Sequence, residues 1–380
     1  MMRKLGAAEV MMRGQVDKQE PMWVHFSVEG RIPADEPLRK IKTLVDGRLA
    51  AMSPLFQQAY GTMGRPSIPP EQILKALLLR VLHSIRSERA LVHQLNWNLL
   101  FRWFVDLAPD APAWDATTFT KNRERFEAHG LVQAFFDGVV KEAVAHGLAS
   151  TDHFTVDGTL IQAYASLKSF KPKDGSGGGP TDDDPKNPTV NFRGEKRSNA
   201  THASTTDPEA RLARKGDGKE AKLCHGASIL MENRTGLCVA VAIHEPAEEA
   251  RAAGPLVSQA RQRMGFTGTV TVGADKGYTG GPALQALERA KAVPHVPMDA
   301  RPADPDRPGA KARNRAYRRQ GTMGHAISQW IRKRVEEAFG WGKTIGGMER
   351  TRHKGRWRVG LQVLVTMTAY NLIRMTKCEA

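Results

Sequence analysis

Cysteine is scarce. The three in 380 residues, Cys224, Cys238 and Cys378, are too scattered for a disulfide framework or a C-x-x-C metal clip. Reduced thiols in a cytoplasmic protein fit that usage. Long apolar runs are missing too. The best candidate, Leu361 to Met375, is interrupted by Gln362, Asn371 and Arg374, whereas a membrane helix needs about 20 apolar residues. The opening MMRKLGAAEVMMRG has no apolar core of the signal-peptide kind. A secreted or membrane protein is therefore not expected. Acidic residues are also in deficit, 40 Asp+Glu against 56 Lys+Arg, which leaves a formal charge of +16 and a pI near 9.9.

That surplus points to an acidic partner, most often nucleic acid held through Lys/Arg–phosphate contacts. It is concentrated: from Arg307 to Arg358 fifteen Lys and Arg face only Glu336, Glu337 and Glu349. Tyr317, Trp330, Phe339, Trp341 and Trp357 interleave with these cations, so the stretch folds and suits a strand-holding groove.

The length suggests two or three domains at about 150 residues each, and three regions differ in pattern. Residues 1–35 read as an irregular tail. Residues 36–150 read as all-helical, with apolar residues at helical spacing over Gln72 to Ser84 (after Pro69-Pro70) and Arg89 to Leu107, a further helix opening at Asp115, and another from Val132 to His146. This unit fits either a helix-turn-helix DNA reader or a packing and dimerisation bundle. Residues 151–380 change period. Strands are expected at His153–Leu160, Leu223–Met231 and Leu237–His244, the last two joined by the turn residues Glu232 to Gly236. A helix (Ala247–Met264), a strand (Thr269–Ala274), a helix (Pro282–Ala290), a strand (Val293–Pro297), a basic loop and a helix (Ala326–Lys343) follow. The order describes a mixed α/β sheet whose first three strands form an antiparallel meander. An insert at about 166–222 has a Gly/Asp-rich centre of linker composition.

Three carboxylates sit where a metal site needs them. Asp157 lies in or just past the first strand, and Gly158 beside it permits close approach of a ligand. Asp275 ends a buried strand, a usual ligand position in open α/β sheets. Glu336 lies on the Arg332–Lys343 helix, on one face with Arg332 at i+4 spacing and Lys343 two turns on. Its neighbour Glu337 points about 100° away. Acids at apolar strand ends are costly unless neutralised, and hard oxygen ligands suit Mg²⁺ or Mn²⁺. Alone, each strand-end Asp is equally well a turn former, and the helix an amphipathic one with an incidental ion pair.

Together, Val156-Asp157-Gly158-Thr159, Gly273-Ala274-Asp275-Lys276-Gly277-Tyr278 and Arg332-x3-Glu336-x6-Lys343 resemble bacterial insertion-sequence DDE transposases with an RNase-H-like core and a Y-x2-R-x3-E-x6-K signature. Gln329 stands where that signature has Tyr. The resemblance extends to Asn199–Pro208 in the insert and covers roughly residues 20 to 375. It implies metal-dependent strand cleavage at element ends and 3′-OH strand transfer into target DNA. It further implies two Mg²⁺ (or Mn²⁺) ions on Asp157, Asp275 and Glu336, and phosphate contacts from Arg332 and Lys343. Lys276 and Tyr278 are expected to position DNA. The implied partner is double-stranded DNA, held by a homodimer or larger assembly in the cytoplasm. Two other classes fit the residues: a non-catalytic DNA-binding regulator, and a metal-dependent nuclease without strand transfer.

Other motifs carry less. Gly342-Lys343-Thr344 lacks the leading Gly of a phosphate-binding loop, because position 337 is Glu. His202, His225 and His244 lack zinc spacing, and Ser166 and Ser204 have no His/Asp pattern for covalent catalysis. Trp97, Trp103 and Trp114 read as helical core.

Overall fold

The computed structural model describes residues 27–61, 66–174, 191–192, 195–216, 218–299, 304 and 306–378. Most of the expected tail and the centre of the insert lie outside the described residues. The described end of the tail forms a short helix.

The first unit consists of α1 (Val28–Arg31), α2 (Leu38–Ala51), α3 (Ser53–Ala59), α4 (Pro70–Leu82), α5 (Glu88–Trp97), α6 (Leu99–Phe104), α7 (Thr117–Ala128) and α8 (Leu131–Ala145). Pro70 starts α4, where its missing N–H is no loss. That helix buries Ile73, Leu74, Leu78, Leu79 and Val81. The single helix expected over Arg89–Leu107 is two, because the Asn98 side chain accepts from Phe101 N at 3.3 Å and caps a new start. Lys75, buried in this core, is neutralised by Asp46 and Asp106.

The second unit is built on strands β1 (His153–Gln162), β2 (Arg211–Ala213), β3 (Lys222–Glu232), β4 (Cys238–His244), β5 (Val270–Gly273) and β6 (Ala292–His295). The sheet runs β6-β5-β1-β3, and β2 and β4 share the outer edge of β3. Strands β1, β3 and β4 form the antiparallel meander, while β5 and β6 lie parallel to β1. Meander first, parallel strands after, is the RNase-H-like arrangement. In the β3–β4 turn the buried Glu232 carboxylate accepts from Arg234 N (2.8 Å), Thr235 N (2.9 Å) and Ser150 Oγ (2.6 Å). Gly236 takes a φ of +79°, which an L side chain would resist.

The flanking helices are α9 (Glu249–Met264), α10 (Gly281–Arg289), α11 (Ala310–Arg319), α12 (Met323–Ile331), α13 (Val335–Thr344) and α14 (Arg356–Cys378). Here the structure departs from the sequence pattern three times. The basic loop contains α11. The helix expected over Ala326–Lys343 is α12 and α13, separated by a 3₁₀ turn at Arg332–Arg334. The apolar C-terminal stretch is α14, which packs on α4, α8, α13 and β4 and so joins the two units. Asn371 of α14 accepts from Cys238 N (2.8 Å) and donates to Cys238 O (2.7 Å), which pins that helix to β4. No described helix is long and apolar enough to cross a membrane.

The described residues of the later insert carry local structure. Phe170–Pro172 pairs with His202–Ser204, and Ala163, Ala165, Phe170, Ala210 and Leu223 form a small second core. Buried Asp207 meets buried His225 of β3 at 3.0 Å.

Candidate active site

Strand pairing brings the two aspartates together. β1 and β5 are parallel, with Thr155 beside Gly273, and two residues further along that register Asp157 is level with Asp275. Asp275 then caps a 3₁₀ turn, its Oδ1 accepting from Gly277 N at 2.8 Å. Asp157 Oδ1 lies 3.0 Å from the N–H of Gly158. Glu336 stands in the first turn of α13, Arg332 in the 3₁₀ turn before it, and Lys343 near the helix end. Asp157, Asp275, Arg332, Glu336 and Lys343 all line one cleft of about 1340 Å³.

The cleft also holds residues that no motif signalled. Glu249, from the start of α9, presses on Gly158: a Cβ there would lie 2.4 Å from Glu249 Cδ. Gly158 thus makes room for a neighbouring carboxylate while itself lining the cleft. Lys173, Arg211, Arg214 and Lys215 add cations from the insert and β2. A run Arg211-x2-Arg214-Lys215 was visible in the sequence, but its placement depends on β2 joining the β3 edge.

The charges are strained in a consistent way. Burial lifts Asp157 to about 6; the Gly158 N–H opposes this, and Asp275 and Glu249 add to it. Glu249 is raised first by burial and then by Asp275, although the Tyr278 hydroxyl donates to its Oε1 at 3.2 Å. Lys343 is lowered, first by burial and then by Lys215, with Asp157 pulling the other way. Arg332 Nε is buried with no hydrogen-bond partner among the described residues.

Several expectations need revision. Tyr278 is fully buried and serves Glu249, so it is no DNA contact. Lys276 is exposed in the turn after Asp275, a position compatible with its expected part in positioning DNA. Trp97 is 77% exposed and not core, unlike Trp103 and Trp114. As the helix geometry predicts, Glu337 turns away from the cleft, to Arg374 at 3.3 Å. Gln329 donates to Ala274 O (3.2 Å) and His295 O (2.7 Å), which ties α12 to the strand ends beside Asp275. His202 stacks on Phe170, and His244 bonds Ser228 Oγ at 2.8 Å.

Among the described residues no three His, Cys, Asp or Glu side chains form a ready metal-holding group, so the tight cage expected of the three acids is not formed. The donor chemistry still fits a hard divalent cation: oxygen ligands only, with mutual repulsion that such an ion relieves.

An RNase-H-like sheet with one aspartate on β1 and another just past the end of β5, both lining a cleft that also carries cations, makes this an α/β protein with an acid-and-cation site. The particular family follows from comparison. Residues 149–372 match the family described as Transposase DDE domain, and residues 26–125 match Transposase domain (DUF772). The chain belongs to the DDE transposase family and is a DNA transposase. Similar solved structures include the piggyBac transposase synaptic complex with hairpin DNA, at 10% identity over 91% of this chain and 74% of that one, with a TM-score of 0.38. The Mos1 transposase paired-end complex with left transposon end is similar at 11% identity over 91% and 98%, with a TM-score of 0.20. No curated protein sequence matches the chain.

Proposed function

We propose that the cleft cuts duplex DNA at the ends of an insertion sequence and joins the freed 3′-OH to a target duplex. Asp157, Asp275 and Glu336 are the acids we assign to metal binding, as two Mg²⁺ or Mn²⁺ ions. Bound there, a divalent ion polarises the scissile phosphate and lowers the pKa of an attacking water. The remaining work falls to side chains. Arg332, its buried Nε without a hydrogen-bond partner among the described residues, grips a backbone phosphate through its planar fork, and Lys343 supplies a point charge further along α13. Lys173, Arg211, Arg214 and Lys215 extend the phosphate track. Glu249, held by Tyr278, adds its repulsion to that of Asp157 and Asp275, which a bound cation would relieve.

The observation that carries this reading is convergence: acids from β1, the end of β5 and α13, with Arg332 and Lys343, meet in one cleft. The partner is duplex DNA, and joining two ends calls for at least two copies of the chain. A strand-transfer assay tests the reading. Duplexes carrying the DNA that flanks this gene, some uncut and some pre-cut with a free 3′-OH, are incubated in parallel with Mg²⁺ and a target plasmid. Joined products are expected. Cleavage of uncut ends without any joining would make the protein a nuclease, and neither product would leave it a regulator.

A further inference from the structure

Helices α4 and α5 are joined by a tight turn over His83–Ser87 and play unequal parts. α4 is buried along most of its length, whereas α5 buries only Leu91 and Leu95. At 100° per residue the face opposite those leucines carries Arg89, His93 and Trp97; exposed Gln94 sits on the flank of the helix and exposed Arg86 just ahead of its N-cap Ser87. None of these five side chains makes a hydrogen bond or ion pair among the described residues, although Arg89 lies in the field of Asp115. The one acid of α5, Glu88, is turned inward and neutralised by Arg123 and, at 3.8 Å, Arg80. The presented face is therefore basic, polar and aromatic, with no acid of its own.

From this we infer that α5 is the helix that reads DNA sequence, laid in a major groove with α4 supporting it; the inference rests on the transposase reading above. An α-helix fits that groove, an Arg fork matches guanine and a Gln amide matches adenine. Arg86, at the helix entry, suits a phosphate, and Trp97 offers apolar contact to a thymine methyl. The turn is fixed to the catalytic unit, since Ser84 Oγ donates to Ile345 O at 3.0 Å in the loop after α13. The turn ahead of α5 thus touches the C-cap of the helix that carries Glu336 and Lys343. Ser84 adopts a φ of +52° and Ser87 caps α5, so the turn is locally defined.

The test is selection by the full-length protein from a duplex library with a randomised core of about 20 base pairs, one helix-groove footprint or more. The parent is expected to enrich a consensus. Arg89→Ala and Gln94→Ala should each lose preference at one or two positions and bind the parent's consensus about ten-fold more weakly, with unchanged melting temperature. Lys276→Ala should keep the consensus. Unaltered consensus and affinity in both α5 variants would overturn the assignment. A parent that joins pre-cut ends yet selects no sequence also overturns it and leaves the transposase reading standing; a parent that neither binds duplex nor joins ends sinks both.

Discussion

Replacing Asp157 by Asn tests the electrostatics of the cleft while keeping its shape. The carboxyl titrates near 3.8 in an unfolded chain and at about 6 here. The folded protein thus holds this proton more tightly than the unfolded chain does. For an acid shifted upward, the penalty is absent below the unfolded value. It grows as pH rises from 3.8 to about 6 and is constant above. About two units at 1.36 kcal/mol per unit is about 3 kcal/mol, an order-of-magnitude figure. Asn carries no charge and escapes the penalty. Asp157→Asn should therefore melt above the parent near pH 8 in EDTA, by on the order of 5 °C. The gap should close as the pH falls toward about 4. Millimolar Mg²⁺ should raise the parent's melting temperature and leave the variant's unchanged. Calorimetry or dye-based melting across that pH range is sufficient. A variant that melts at or below the parent at pH 8 would refute the argument that Asp157 is held in a repulsive, buried field.

Other perturbations probe separate parts of the account. Gly158→Ala should cost about 1–3 kcal/mol by driving a methyl into Glu249. Adding Glu249→Ala should recover that loss in urea melts, and a double variant no more stable than the single one would count against the clash. Arg332→Ala should cut DNA cleavage about a hundred-fold with no change in melting temperature, and wild-type rates would remove Arg332 from the site. Asp207→Ala should cost about 1–3 kcal/mol, since it leaves buried His225 Nε2 without its hydrogen-bond partner; chemical denaturation reads this directly. Asn371→Ala should cost about 2 kcal/mol by leaving the Cys238 backbone groups unpaired where α14 meets β4. An unchanged midpoint would argue against that clamp.

Local patterns in the chain carried much of the architecture, and the misses have physical causes. The hairpin β3–β4 was legible because strand periodicity and the Glu232–Gly236 turn are both local. The pairing of Asp157 with Asp275 was legible only as an expectation, since it depends on β1 and β5 lying side by side. α14 was hidden because an apolar helix interrupted by Gln362, Asn371 and Arg374 looks like a failed membrane span until its polar residues find partners such as Cys238. The break before α13 left no mark in a run of good helix formers. Trp97 looked like core because aromatic residues usually are; its exposure follows from the phase of α5, in which Leu91 and Leu95 take the inner face. Glu249 had no motif at all. Only the packing of α9 against Gly158 brings it to the cleft.

Cleavage of a duplex bearing the gene's own flanking ends, with Mg²⁺, by the parent and by Glu336→Gln measured side by side is the most direct test of the assigned acids. Cutting by the parent, and none by a variant that folds and binds the same duplex equally well, is the predicted result. Equal cutting by both would contradict the assignment of Glu336 and with it the proposed trio.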